Sequence, residues 1–429
     1  MQYLDTFYIL LILFFLIQGI VNIMLSLYAW GVPERIDEVK SPQKYSKPAV
    51  SFSVLLPARH EQKVIGETIL SIFNTNYPRR LVEILIVCGE EDIDTIEAAK
   101  KTIIDNNIKN AKIISFNDYP INKPHGLNAG LRIASKHATV IFDAEDSVNP
   151  DIFNIANTLF LTKRPDIIQA GVQLMNYGSR WFSSHNVLEY YFWFRSRMHF
   201  HTKIGMVPLG GNTVFFITKQ LREAGGWDEK CLTEDCEIGI RLSANGARII
   251  STYDPQHVTK EETPLTVSDF IKQRTRWNQG FIQVLQKKDW TQFNSLTKRV
   301  LCLYTLSFPF MQTILFLATI LIIVLGIEFN IPVIISWLSF TPLLIIFSQI
   351  CVNCLGLHEF AQEQKLKLKW RVLPLMTLTF FFYQLLLGIS AIRATYRQIA
   401  GQQNWEKTTH LGQHRIDNLV PIEETVGMP

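Results

Sequence analysis

Apolar residues follow two patterns along this chain. Four long runs carry no charged residue: Thr6–Pro33, Val300–Ile327, Phe329–Leu357 and Val372–Ile392. Each meets or exceeds the roughly 20 residues that cross a bilayer as a helix. Between the first two runs, residues 34–299 have ordinary polarity, and short β-rich runs recur there at βαβ spacing. Val50–Leu56 (VSFSVLL), Val82–Cys88 (VEILIVC), Lys112–Phe116 and Ala138–Phe142 read as strands, with helical patterns such as Val64–Phe73 and Thr95–Asp105 between them. Such alternation predicts an α/β unit with a mostly parallel sheet and helices on both faces. Ligands of such sheets bind beyond the carboxyl ends of the strands.

Composition sharpens this picture. Of 429 residues, 48% are apolar and only 19% charged, against about 25% charged in an ordinary soluble protein. Disorder, a collagen-like fibre and a fully soluble globule are excluded. The expected organisation is an N-terminal transmembrane helix (1–33), a catalytic-type domain (34–299) with an amphipathic interfacial helix near 265–290, transmembrane segments at about 300–327, 329–357 and 372–396, and a tail (397–429). The first run lacks a basic flank and a small-x-small cleavage site, so it reads as a retained anchor. A net charge of +4, dispersed along the chain, does not point to nucleic acid. Cys351 and Cys354 form a C-x-x-C inside an apolar run, where packing is the simpler reading.

Basic residues mark a side of the membrane. Arg35, Lys40, Lys44 and Lys47 follow the first run, and Lys298–Arg299 precede the second. This places the middle domain in the cytoplasm. The loop Lys365–Arg371 fits a third run returning inward, but a fourth crossing would put Arg393, Arg397 and Lys407 outside. Parity and charge disagree, so one apolar segment is expected to be interfacial or re-entrant.

Three constellations carry chemistry. After the fourth strand stands Asp143-Ala144-Glu145-Asp146, which suits Mg²⁺ or Mn²⁺ on a diphosphate, or else a solvated, helix-capping turn. Thr233-Glu234-Asp235 opens a helix with Ile238 and Leu242 on one face. Acids there complement the helix dipole, or one is a general base at a cleft edge. Gln273-Arg274-Thr275-Arg276-Trp277 lies on the amphipathic helix: an interfacial pattern, or a phosphate clamp beside a sugar-stacking ring.

In this order, PARHE (Pro57–Glu61), Lys123–Asn128 (KPHGLN), DAED, LGGN (Leu209–Asn212), TED and QRTRW resemble the membrane-bound processive glycosyltransferases of family 2. These include cellulose, hyaluronan, curdlan and poly-N-acetylglucosamine synthases, with the likeness closest to bacterial β-glucan synthase-like members. The resemblance covers about Val50–Trp290 and returns at Trp405–His410. It implies a GT-A fold, an inverting mechanism, and a UDP-sugar donor bound with Mg²⁺ or Mn²⁺. Asp143 and Glu145 stand at the family's D-x-D as metal ligands. Glu61, Asp92, Lys123, Asp143, Gln273 and Arg276 correspond to donor-binding positions. Asp92 lies in a turn that departs from the family's pattern. Asp235 resembles the catalytic base, with Glu234 beside it as the one carboxylate near enough for a covalent alternative. Gly210, Gly211, Asn212 and Trp277 match the acceptor side, and Trp405, Lys407, Thr408 and His410 a gating segment over the donor, which requires a cytoplasmic tail.

The implied activity is addition of sugars to a growing β-linked polysaccharide. The competing reading is transfer of one sugar to a membrane lipid, which the small number of apolar runs favours. A scaffold that has lost its chemistry would lack DAED, TED or Q-x-x-R-W, and a transporter would need a phosphate loop that is absent here. A secreted polymer would call for an accessory export subunit, though no segment announces one.

Overall fold

The computed structural model describes residues 2–328, 340–406, 411, 412, 414 and 415. The expected strands form as β1 (Phe52–Pro57), β2 (Val82–Gly89), β3 (Ala111–Phe116) and β4 (Ala138–Ile141). They join β5 (Ile167–Ala170), β7 (Val214–Ile217) and β8 (Ile249–Thr252) in one sheet of order β3-β2-β1-β4-β7-β5-β8. β7 runs antiparallel to both neighbours, and the other pairings are parallel. A parallel pair, β6 (Val172–Leu174) and β9 (Thr259–Glu261), forms a second small sheet.

The central strands are apolar at nearly every position because both faces are covered. Leu55 and Leu85 point to one side, where α5 (Lys123–Ile133) packs Leu127 and Leu131. Val54, Leu56, Ile84 and Ile86 point to the other, against α3 (Ile65–Phe73), α4 (Ile93–Asp105) and α6 (Ile152–Lys163). A Cβ on Gly130 would stand 2.8 Å from Leu55, so this glycine lets α5 rest on the sheet.

From β6 the chain enters a helix, α7 (Ser183–Phe192), which passes through a π turn at Trp193–Arg197 into α8 (Met198–Ile204). Then follow α9 (Thr218–Glu223), α10 (Glu234–Ala244) and the long amphipathic α11 (Val267–Lys287). Near the start of the chain, α1 (Gln2–Ser26) precedes a short α2 (Pro33–Val39). The C-terminal region contributes α12 (Leu296–Glu328), α13 (Thr341–Glu363) and α14 (Val372–Ile399). Among the described residues, α1, α12, α13 and α14 are long and apolar enough to cross a membrane. The expected third run begins within 329–339, outside the described residues.

α14 differs from the other three in its course. Before it, Gln364 Nε2 donates to Pro255 O at 2.9 Å and Tyr177 Oη to Lys367 O at 2.7 Å. Its first half packs on α7, with the Tyr383 and His185 rings stacked at 4.6 Å. At its far end Arg397 Nε donates to Gln279 Oε1 at 3.1 Å and Gln398 Nε2 to Gln286 Oε1 at 2.9 Å, both acceptors on α11. Both ends therefore rest on the α/β unit. Leu378, Phe382, Leu385, Ile389, Ile392 and Tyr396 form an exposed apolar stripe along the opposite face.

Candidate active site

β1 and β4 end side by side, and their following turns open into a cavity of 830 Å³. After β4, the backbone N–H of Asp143 donates to Asp146 Oδ2 at 2.8 Å, which closes the DAED turn on itself. Asn122 caps α5 by accepting from His125 N–H at 3.0 Å. The next residue, Lys123, then places its Nζ 2.5 Å from Asp143 Oδ1 and 3.0 Å from Gly211 O. Burial works against the Lys123 charge, but Asp143, Glu234 and Asp235 outweigh it and hold the ammonium above the ordinary lysine range.

Opposite, Thr233 stands at the N-cap of α10, with Glu234 and Asp235 in its first turn. Asp235 Oδ1 accepts from Cys236 N–H at 2.8 Å. A Cβ on Gly211 would lie 3.1 Å from Asp235 Oδ2, so the glycine leaves room in front of that oxygen. Burial, then the neighbouring Asp235, pushes Glu234 up to about 7. Burial also raises Asp235, against the pull of the Cys236 N–H, Lys123 and Arg276. α11 is pressed onto this turn: a Cβ on Gly280 would lie 2.3 Å from Thr233 Oγ1. Gln273, Arg276 and Trp277 thereby reach the cavity wall. The Arg276 guanidinium lies 4.2 Å from the Trp405 ring centre, and the Arg274 guanidinium 4.5 Å from that of Trp277.

Most of the described sequence-predicted positions thus converge, but two have different surroundings from those expected. Asp92 is buried and does not line the cavity. Its carboxylate caps α4 at Thr95 N–H and accepts His60 N–H at 2.5 Å, so it fastens the Pro57–Glu61 turn rather than facing a ligand. Asn212 lines the cavity, yet its amide is committed to both Asp146 oxygens at 3.0 Å and to Glu261. Lys407, Thr408 and His410 lie outside the described residues. Trp405 does reach the cavity, and Glu406 pairs with Arg393 at 2.6 Å and Arg397 at 3.2 Å.

Sequence reasoning missed Glu261, Glu262 and Arg415. Glu261 ends a strand of three residues, too short for any periodic signal, and β9 meets the DAED turn through Ser147 and Lys260. Burial, then Asp143 and Glu145, pushes Glu261 up to about 8. Arg415 Nη2 donates to the Glu145 and Asp146 carbonyls at 3.0 Å each and to Thr68 Oγ1 at 2.6 Å. Arg415 Nη1 donates to Glu67 at 2.6 Å, and Glu262 accepts the Leu411 N–H at 2.5 Å. Replacing Arg415 by Ala is expected to release this docking and to speed tryptic cleavage at Lys407 roughly tenfold. An unchanged cleavage rate would mean that these bonds do not hold the tail.

Residues 48–280 match the family described as Glycosyltransferase like family 2. The chain belongs to glycosyltransferase family 2. Its relatives within that family include a probable glycosyltransferase, YdaM, of Bacillus subtilis, 24% identical over 85% of this chain and 87% of the relative. The poly-β-1,6-N-acetyl-D-glucosamine synthase of Staphylococcus epidermidis is 24% identical over 60% of each chain. The β-monoglucosyldiacylglycerol synthase of Trichormus variabilis is 24% identical over 56% of this chain and 51% of its own. The chain thus matches only about half to three fifths of those two synthases. Among solved structures, a mannosyltransferase from Pyrobaculum calidifontis in complex with GDP-Man and Mn²⁺ shares the fold, with a TM-score of 0.57 at 16% identity over 91% of this chain and 99% of that one. The fold is GT-A, and the family 2 chain is a glycosyltransferase.

Proposed function

We infer that this family 2 transferase moves a sugar, with inversion, from a UDP-sugar to a growing β-linked glycan at the membrane. The observation that carries the reading is one continuous cavity. It joins the carboxylates at the ends of β1 and β4 to space between α1, α12, α13 and α14, with Trp277 and Trp405 along its wall. A donor at the strand ends and a chain leading away between helices fit that shape.

The residues present fit a divalent cation. Glu261 is raised first by burial and then by Asp143 and Glu145, so these carboxylates gather negative charge at the DAED turn. Among the described residues no three His, Cys, Asp or Glu side chains form a closed cage. The oxygen ligands at the DAED turn suit Mg²⁺ or Mn²⁺, which take one or two carboxylates and complete their shell with water and substrate phosphates. Asp143 and Glu145 would hold the ion, which when bound neutralises diphosphate charge. The chain's own groups do the rest. Lys123 and Arg276 stabilise the leaving diphosphate, and Glu61 and Gln273 line the donor end. Asp235 accepts the proton of the acceptor hydroxyl as its oxygen bonds to the anomeric carbon and the bond to the diphosphate breaks. One displacement inverts the anomeric centre, so no enzyme nucleophile is required.

For topology, α1, α12 and α13 cross the bilayer, and α14 lies along the cytoplasmic interface. This reconciles the basic tail with the count of spans. Trp277→Ala is expected to weaken acceptor use about tenfold and shorten the product, with a smaller effect on donor hydrolysis. An unchanged product distribution would remove Trp277 from the acceptor side.

A second reading, one sugar placed on a membrane lipid, is favoured by the small number of crossing helices. Product analysis separates the two. Protein in nanodiscs would receive Mg²⁺ or Mn²⁺ and a panel of UDP-sugars, with UDP release followed and products sized by mass spectrometry. A ladder from one donor supports the glycan synthase; a single sugar on lipid overturns it in favour of the second reading.

A further inference from the structure

We propose that Arg197 anchors an anion site at the membrane end of the cavity, and that its ligand is the phosphate of a lipid head group. The proposal goes beyond the reading above and holds for either product. Arg195 and Arg197 both belong to the π turn between α7 and α8, a local insertion of the kind that often re-aims side chains at functional positions. Arg195 meets two carboxylates of α13, Glu359 at 2.7 Å and Glu363 at 2.9 Å. Arg197 lines the cavity and meets only neutral groups there. Its Nη2 donates to Ser26 Oγ at 2.9 Å, to Asn22 O at 3.3 Å and to Asn22 Oδ1. Among the described residues no carboxylate lies within ion-pair distance of Arg197 and no hydrogen bond uses its Nε or Nη1. Glu189, which acts on it electrostatically, is already paired with Arg274.

An unneutralised guanidinium in such surroundings is costly, and burial indeed lowers its hold on the proton. Stapling α1 to the domain needs one donor nitrogen, and the Phe308 ring lies 5.5 Å from the guanidinium carbon, which leaves Nε and Nη1 to meet two phosphate oxygens. The walls identify the source of that phosphate. Beyond Arg197 the cavity is lined by α1, α12, α13 and α14 without a single carboxylate among the described residues. Carboxamides such as Gln18, Gln312 and Gln349 stand there among aromatic and aliphatic side chains. Ser26 is the last residue of α1, so Arg197 lies where that helix ends, at the depth of lipid head groups. A small solvent ion has no use for apolar walls; a phospholipid does.

The test uses the full-length protein in a maltoside detergent, with bound lipid counted by native mass spectrometry. Phosphatidylglycerol, diacylglycerol (no phosphate) and inorganic phosphate are added separately. Wild type and Arg197→Lys are expected to retain phosphatidylglycerol at least tenfold better than diacylglycerol, and Arg197→Gln to lose that preference. The double variant Asn22→Ala with Ser26→Ala, which removes both side-chain partners of the staple and keeps the charge, is expected to retain it. UDP binding serves as the folding control, so the result does not depend on transfer being observed. Equal phospholipid retention by wild type and Arg197→Gln would overturn the site. Loss in the double variant equal to that in Arg197→Gln would reduce Arg197 to a staple. Inorganic phosphate displacing phosphatidylglycerol at similar concentration would assign the site to a soluble anion and overturn the lipid.

Discussion

Replacing Asp235 by Asn is expected to lower transfer by about a thousandfold or more while leaving UDP-sugar affinity near that of the wild type. The amide keeps the shape of the side chain and its contact with Cys236 N–H, 2.8 Å from the carboxylate oxygen in the parent. It cannot accept the acceptor's proton. On the proposed reading donor affinity resides mainly elsewhere, in Lys123, Arg276 and the DAED turn. The same pair predicts the pH response. Both carboxyls are raised by burial, with Glu234 at about 7, so the acidic pair begins to hold a proton as pH falls through that region. Activity should therefore be retained at alkaline pH and lost as pH falls through the raised range of Asp235, above the ordinary carboxylate range. Glu234→Gln leaves burial, the main cause of the Asp235 shift, in place and should keep the acidic limb. Isothermal UDP-sugar binding and initial rates across pH check both statements. Substantial turnover by Asp235→Asn would show that another group takes the proton.

The second large effect is expected at Asp143. Its carboxylate is 2.5 Å from Lys123 Nζ and shares the turn with Glu145. Asp143→Asn should remove the metal-stimulated part of UDP binding, weakening it about 100-fold at saturating Mg²⁺ or Mn²⁺. In the absence of metal the variant and the parent should differ little, because the cluster repels diphosphate in both. UDP titrations with and without each ion provide the measurement. A variant that keeps the parental metal dependence would place the ion elsewhere.

The parts of this protein that obey a period were legible in its sequence. Strands β1, β2 and β4 are buried on both faces and read as near-continuous apolar runs, and the half-exposed edge strand β3 still shows its apolar pair Ile113–Ile114, so all four were found within a residue or two of their ends. The TED helix carried a cap signal and an apolar face, and the Q-x-x-R-W helix an amphipathic pattern. What was hidden depends on neighbours. β7 sits antiparallel between β4 and β5, yet its four residues, Val214–Ile217, look like any short apolar strand. Asp92 and Asn212 are polar residues beside ligand-binding turns, and composition alone does not reveal that their side chains are consumed by an N-cap and by Asp146. Glu261 and Arg415 have no local pattern at all. They matter because β9 and the tail return to the DAED turn from about 115 and 270 residues away in the chain. The conflict over the last apolar run has a similar origin. Hydropathy measures length and composition, whereas the course of α14 is decided by what each of its ends touches.

That course has a mechanical consequence. On the proposed topology α14 floats in one leaflet, with its apolar stripe in contact with acyl chains along its whole length. Its far end is rigidly coupled through Arg397 and Gln279 to α11, and through Arg393 to Glu406, next to the ring that covers Arg276. Leaflet thickness and lateral pressure therefore bear on the donor end of the enzyme, and turnover becomes a gauge of the physical state of the bilayer in which it works.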